Sequence, residues 1–146
     1  RASYMPGVPT MYQAMLDHPA VHHTDFSSLR VCISGGAPMP REVKDRFEHA
    51  TGARIAEGYG LTETAAGSCV NRPSLYKFGT VGLPFDQTEF RIADDGEILI
   101  KGPGVMEGYH NNPEATAEYL EEKISKLGGK IMKKKVDPED FILSGC

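Results

Sequence analysis

Two short apolar runs, each ending in glycine and separated by a helix-like stretch, constrain the fold more than anything else in this chain. Residues 29–34 read LRVCIS and stop at Gly35-Gly36. The run is short, β-branched and bounded by turn residues, which predicts a buried strand. Pro40 then opens a stretch whose apolar stripe is Val43, Phe47 and Ala50, set among Arg41, Glu42, Lys44, Asp45 and Arg46. Gly52 follows as a helix stop. Residues 53–57 form a second short strand run that leads into Gly58-Tyr59-Gly60-Leu61-Thr62-Glu63-Thr64. Strand, glycine turn, helix and strand make an α/β unit. Open α/β sheets bind ligands beyond the carboxyl ends of their strands, and both glycine motifs lie just past such ends.

The flanks are consistent with this. Upstream, Val8, Met11, Tyr12, Met15 and Leu16 recur at the spacing of one helix face. Pro9 suits the first turn, where its missing N–H costs nothing. Residues 17–28 are loop-like. Downstream of Phe78 the texture changes to Gly79, Gly82 and Pro84, and then to alternation over residues 88–93, with Phe90 and Ile92 on one face and Glu89 and Arg91 on the other. Asp94-Asp95-Gly96 predicts a hairpin turn, with residues 97–101 returning as EILIK. Asn112 is a good helix N-cap, followed by Pro113 and Glu114. That helix is expected to run to about Leu127, with Leu120, Ile124 and Leu127 on one stripe, and to stop at Gly128-Gly129. Lys130, Lys133, Lys134 and Lys135 read as a solvated basic run.

The bulk numbers narrow the function classes. A net charge of −4 lacks the basic footprint of nucleic-acid or anionic-membrane binding. No apolar run reaches the length of a transmembrane segment. Cys32, Cys69 and Cys146 are an odd count without CxxC spacing. This fits a reducing, cytoplasmic setting better than a disulfide framework or a zinc site. Residues 1–118 carry 10 basic and 15 acidic groups, and residues 119–146 carry 6 and 5, so the tail differs from the body. The opening Arg1 in place of Met is what a processed product or a fragment would show.

The mixture within residues 58–64 is more than a plain turn requires. Gly58 and Gly60 let backbone approach a ligand without a Cβ clash. Tyr59 offers a ring to lie on a base. Thr62 can donate to a phosphate oxygen. Glu63 can hold Mg²⁺, a hard cation that takes carboxylates together with substrate phosphates. The same residues would also suit a polar surface turn with a half-buried tyrosine. Gly35-Gly36-Ala37-Pro38 alone would be a tight connection, but with residues 58–64 it makes a two-sided slot for a flat ring.

Taken in order, Val8-Pro9-Thr10, Ser34-Gly35-Gly36-Ala37-Pro38, residues 58–64, Gly79-Thr80-Val81-Gly82-Leu83-Pro84, residues 96–103 and Gly108-Tyr109 with Asn112-Pro113-Glu114-Ala115-Thr116 resemble the adenylate-forming, AMP-binding superfamily. The texture is that of fatty-acid–CoA ligases and luciferase-like enzymes, over roughly residues 5–118. The resemblance implies a partial ATP-dependent carboxylic (fatty) acid–CoA ligase, with ATP/AMP and Mg²⁺ as cofactors and coenzyme A as co-substrate. It implies that Gly35, Gly36, Ala37 and Pro38 line the adenine, with Gly58, Tyr59 and Gly60 forming the nucleotide turn and Tyr59 stacked on the ring. Thr62 would contact the α-phosphate and Glu63 the metal, the two acting as the catalytic pair. Gly60 would also border the acyl pocket, with residues 8–10 near its tunnel.

The expected architecture is α/β. Residues 1–77 would be the nucleotide-site portion of an AMP-binding domain with a mixed sheet. Residues 78–112 would be a β-hairpin or barrel-like subdomain, and residues 113–146 a helix and divergent tail. The family's Ser/Thr/Gly-rich phosphate loop, its ribose-gripping Asp motif and its C-terminal domain with a catalytic Lys are not matched, Asp137-Pro138 lying in the wrong context. The chain is therefore expected to be inactive alone. The alternatives are a non-catalytic interaction module derived from the fold, or one chain of a split enzyme completed by another. The strands at residues 29–33 and 53–57 are expected to expose edges that favour self-association.

Overall fold

A parallel ladder positions everything else. In the computed structural model, which describes residues 1–94, 96–122 and 130–135, strand β1 (Tyr4–Gly7) pairs parallel with β2 (Val31–Ser34), and β2 pairs parallel with β3 (Arg54–Tyr59). Helix α1 (Pro9–Asp17) makes the first crossover and α2 (Arg41–Thr51) the second. Beyond β3 the sheet continues antiparallel through β4 (Cys69–Val70) and β5 (Leu83–Pro84), giving the order β1-β2-β3-β4-β5. The mixed α/β class is as the alternating strand and helix signals require.

The expected exposed edges at residues 29–33 and 53–57 are not there. β2 and β3 are interior strands, covered on one side by β1 and on the other by β4. β1 escaped the sequence reading because Pro6 and Gly7 break a strand pattern; a proline is tolerated because β1 is the sheet's edge.

The first core forms where the helices meet this sheet. Tyr12 and Phe47 are fully buried, with ring centroids 5.0 Å apart at 76°, beside Cys32, Met39, Ala53 and Ile55. The Tyr12 hydroxyl donates to the carbonyls of Met5 (3.2 Å) and Ile33 (2.9 Å), which ties α1 to both β1 and β2. Of the predicted α1 stripe, Tyr12, Met15 and Leu16 reach this core, whereas Val8 and Met11 are exposed. Helix α2 ends at Gly52, whose φ of 72° is the left-handed conformation that lets a helix stop and the chain reverse.

One residue of α2 departs from its expected place. Lys44, one of the charged residues set around the apolar stripe, is only 7% exposed. Its ammonium pairs with Glu48, donates to the Ile55 carbonyl at 3.0 Å and sits 4.5 Å from the Tyr76 ring centroid. Arg54 holds the other Glu48 oxygen at 3.1 Å, and the Ile55 N–H donates to Glu48 at 2.8 Å. Burial alone would push the Glu48 carboxyl up; the Lys44, Ile55 and Arg54 contacts outweigh it and hold it below its ordinary value. The stem of Lys44 can follow the apolar stripe while its charge is satisfied from three sides.

The second sheet starts with the predicted hairpin. β6 (Glu89–Ile92) pairs antiparallel with β7 (Glu97–Lys101). The sheet continues to β9 (Lys130–Lys135) and β8 (Leu120–Glu122), in the order β6-β7-β9-β8. The third helix, α3 (Pro113–Tyr119), is capped as expected, Asn112 accepting from the Ala115 N–H at 3.0 Å. It is shorter than its apolar pattern suggested. Leu120 leaves the helix and pairs with Met132, burying its side chain with Ile98 and Ile100. Non-local strand pairing overrides helical periodicity here. The lysine run is likewise a paired strand in its backbone. Asp95, Ile124, Leu127, Gly128-Gly129, Asp137-Pro138 and Cys146 lie outside the described residues. Among the described residues no helix is long and apolar enough to cross a membrane.

Two measurements check this packing. Phe47→Ala is expected to cost about 3–5 kcal/mol in chemical denaturation, through lost burial and a cavity facing Tyr12. Because folding lowers the Glu48 carboxyl, the folded protein binds that proton less tightly than the unfolded chain. The resulting stability is present above the ordinary glutamate value of 4.5 and is lost as pH falls through and below it. Glu48→Gln should flatten that acid limb of a stability-versus-pH curve; an unchanged limb would show that Glu48 does not shape it.

Candidate functional site

The two glycine motifs converge at the carboxyl ends of β2 and β3. Parallel pairing sets Ser34 opposite Glu57, so the chain leaves both strands on the same side of the sheet. A cleft of about 270 Å³ opens there, lined by Ser34, by Gly36, Ala37 and Pro38, and by residues 57–61 with Val81. Of the sequence-derived candidates, Gly36, Ala37, Pro38, Gly58, Tyr59 and Gly60 share this cleft. Gly35 lies behind it, on an adjoining cleft of about 360 Å³ that also touches Gly36, Gly58, Tyr59, Gly60, Ile33 and Phe85. Thr62 and Glu63 line neither. They sit in a single 3₁₀ turn, Thr62–Thr64, immediately past the cleft.

Tyr59 belongs to both the cleft and the second core. Its side chain packs against the Ile98, Ile100 and Leu120 cluster, as does Leu61. Burial pushes its phenol up to about 12, with Cys69 and Glu63 adding to the shift. The ring is therefore neutral at physiological pH and held from behind, a stiff apolar wall rather than a free surface tyrosine. Glu57, not among the candidates, also lines the cleft. Its carboxylate accepts from the Tyr76 hydroxyl at 2.7 Å, and burial together with this bond pushes the Tyr76 phenol well above its usual range.

Backbone contact shapes the turn itself. A Cβ on Gly60 would lie 2.2 Å from the Ala66 carbonyl oxygen, closer than any side chain permits. The chain folds back because the Ala66 N–H donates to the Leu61 carbonyl at 2.9 Å, with Ala65 and Ala66 held at φ of 53° and 67°. Two consecutive alanines in the left-handed region carry a cost of roughly 1–2 kcal/mol each. Buried Thr64 repays part of it: its hydroxyl accepts from the Leu61 N–H at 3.0 Å and from the Ser68 hydroxyl at 2.8 Å. Thr64 is thus a structural lock, and exposed Thr62 is the hydroxyl left facing outward.

Glu63 is fixed from a distance. The Met106 N–H donates to its carbonyl at 2.8 Å, and the Tyr109 hydroxyl donates to its Oε1. That bond to Glu63 is the main cause that pushes the Tyr109 phenol up to about 12. Among the described residues no cluster of three or more His, Cys, Asp or Glu could form a metal cage. A lone partly buried carboxylate beside a hydroxyl instead suits a Mg²⁺ ion that brings most of its ligands as phosphate and water oxygens. Tyr109 was legible only as part of the Gly108-Tyr109 pair; its partner lies 46 positions away, and no local pattern signals that.

The fold and site together define an α/β protein with a strand-end cleft walled by glycine loops and a rigid tyrosine. Residues 1–110 match the AMP-binding enzyme family, and the chain belongs to it. It is 40% identical over 132 residues to a long-chain-fatty-acid–CoA ligase of Bacillus subtilis (strain 168), covering 82% of this chain and 24% of that protein. It is 42% identical over 132 residues to a feruloyl-CoA synthase of Amycolatopsis sp, covering 82% and 27%. Among solved structures it resembles an anthranilate CoA ligase in complex with anthranoyl-AMP, with a TM-score of 0.77 and 26% identity over 94% of this chain and 28% of that one. The chain thus spans about a quarter of the length of the curated relatives it matches.

Gly60→Ala tests the close approach. It should cost about 3 kcal/mol in chemical denaturation, whereas Gly52→Ala, at a position with open space but left-handed φ, should cost only about 1 kcal/mol. Equal effects would show that the Ala66 contact relaxes at little cost.

Proposed function

We propose that the chain forms one wall of the nucleotide site of an ATP-dependent carboxylic acid–CoA ligase. The observation that carries this reading is the cleft at the carboxyl ends of β2 and β3, flanked by Gly36–Pro38 on one strand's exit and by Tyr59 on the other's. Its lining, glycine-rich backbone facing the neutral Tyr59 side chain, suits a flat ring. The similar proteins named above act, by their names, on fatty, feruloyl and anthranilate acids; one was crystallised with an acyl-adenylate.

In this reading Tyr59 lies against adenine, with Gly35, Gly36, Ala37 and Pro38 along its edge. Thr62 donates its hydroxyl to the α-phosphate, and Glu63 faces the metal. A bound Mg²⁺ would supply neutralisation of phosphate charge. The substrate carboxylate attacks the α-phosphorus, the bond to the β-phosphate oxygen breaks, and pyrophosphate leaves with the electron pair. The thiolate sulfur of CoA then attacks the acyl carbon, and AMP departs. Such chemistry asks for alignment and charge neutralisation rather than covalent help from the protein. The adjoining cleft with Ile33, Val70 and Phe85 is apolar, which favours a fatty or other apolar acid.

Among the described residues, no lysine or arginine that could clamp a triphosphate lines either cleft. Loss of electrostatic groups at a developing charge costs orders of magnitude in rate, so the 146 residues alone are proposed to bind nucleotide without sustaining turnover. ATP at 100 times its Kd should stabilise the protein by about 2.7 kcal/mol, visible as a raised melting temperature. Tyr59→Ala should abolish that rise; persistence of the full rise in this variant would overturn the stacking role. Fatty-acid-dependent pyrophosphate–ATP exchange that vanishes in Glu63→Ala would instead show the chain to be active by itself.

A further inference from the structure

We infer that Tyr109 is a positioning residue for Glu63, setting which carboxylate oxygen meets the metal-borne nucleotide. The inference rests on the nucleotide-site reading above but adds a residue 46 positions downstream of Glu63. Three contacts bind the segment after β7 to the Thr62–Thr64 turn. The Met106 N–H holds the Glu63 carbonyl at 2.8 Å. A Cβ on Gly104 would sit 3.1 Å from the Thr64 carbonyl oxygen, so this strap passes close over the turn. The Tyr109 hydroxyl donates to Glu63 Oε1. Backbone and side chain of Glu63 are thus gripped by one strap.

Tyr109 is itself held. Its N–H donates to the Thr116 hydroxyl at 3.0 Å, and that hydroxyl donates in turn to the Asn112 carbonyl at 2.8 Å. Its ring meets the Tyr119 ring edge-on, with centroids 6.1 Å apart. Helix α3 therefore orients Tyr109, and Tyr109 orients Glu63. A flexible glutamate with three side-chain torsions would otherwise spread over many rotamers. With Oε1 occupied by the Tyr109 hydroxyl, Oε2 is the oxygen presented to a cation. A single oxygen per carboxylate suits Mg²⁺, which demands near-ideal octahedral geometry and keeps much of its water. Groups that orient a metal-binding side chain commonly change metal affinity 10- to 100-fold when removed.

The test is the metal-dependent gain in ATP affinity, the ratio of Kd without divalent ion to Kd with Mg²⁺, read by calorimetry. Tyr109→Phe keeps the ring on Tyr119 and removes only the donor. We expect it to leave the metal-free Kd unchanged and to shrink the gain by about tenfold, with a matching loss in Mn²⁺–ATP binding followed by electron paramagnetic resonance. Thr116→Val, which loosens Tyr109 without touching Glu63, should shrink the gain by a smaller factor. A gain in Tyr109→Phe equal to that of the unaltered protein overturns the inference and leaves the nucleotide site standing. Loss of metal-free and metal-dependent affinity together would mark Tyr109 as structural and also overturn it. No metal-dependent gain in the unaltered protein would remove the Glu63 reading beneath, and this inference with it.

Discussion

The structure depends on backbone lying directly on backbone around the site. At Gly60 the chain runs against the Ala66 carbonyl, and at Gly82 a Cβ would fall 2.0 Å from the Val70 carbonyl carbon. Only glycine permits either approach. These two contacts draw the turn after β3 onto residues 66–67 and the loop before β5 onto β4. The strand-end cleft, the left-handed alanines and the Thr62–Thr64 turn, with only Thr62 exposed, are arranged around them. A single methyl at either glycine would push the wall of the cleft away from its sheet.

Around that contact the molecule divides its tasks between two cores. The first, built on Tyr12, Phe47 and Ile55, fixes β2 and β3 so that their ends are level. The second, built on Ile98, Ile100 and Leu120, supports the back of Tyr59 and Leu61. The segment from Tyr59 to Thr64 is therefore the seam between them. Strain at Ala65 and Ala66 persists because Thr64, Ser68 and Met106 over-determine the turn from three directions, the usual condition for a strained segment to survive. Buried Lys44, with partly buried Glu48 and Tyr76, links α2 to Glu57 in the cleft lining.

Much of this was legible in the residues. The glycine-ended runs specify β2 and β3, Gly52 ends α2, Asn112 caps α3, and alternation gives the β6–β7 hairpin, because each is a short-range rule of backbone geometry and burial. The motif at residues 58–64 pointed to the cleft for the same reason. What the residues did not reveal is non-local. β1 was hidden by Pro6 and Gly7; Pro6 is tolerated because that strand lies at an edge. Lys44 looked solvated until Glu48, Ile55 and Tyr76 gathered around it.

By itself, then, the sequence determined the α/β class, the placing of both glycine motifs beyond strand ends and the AMP-binding family resemblance, all of which follow from local periodicity and motif order. Only tertiary structure decided that β2 and β3 are interior strands, that Leu120 leaves α3 to pair with Met132, and that Tyr109 reaches Glu63. Each depends on contacts between residues remote in sequence, where strand pairing and burial outweigh local preference. The candidate site is marked by two short glycine motifs, but the Tyr109 contact to its carboxylate depends on a helix that begins 50 positions downstream of Glu63.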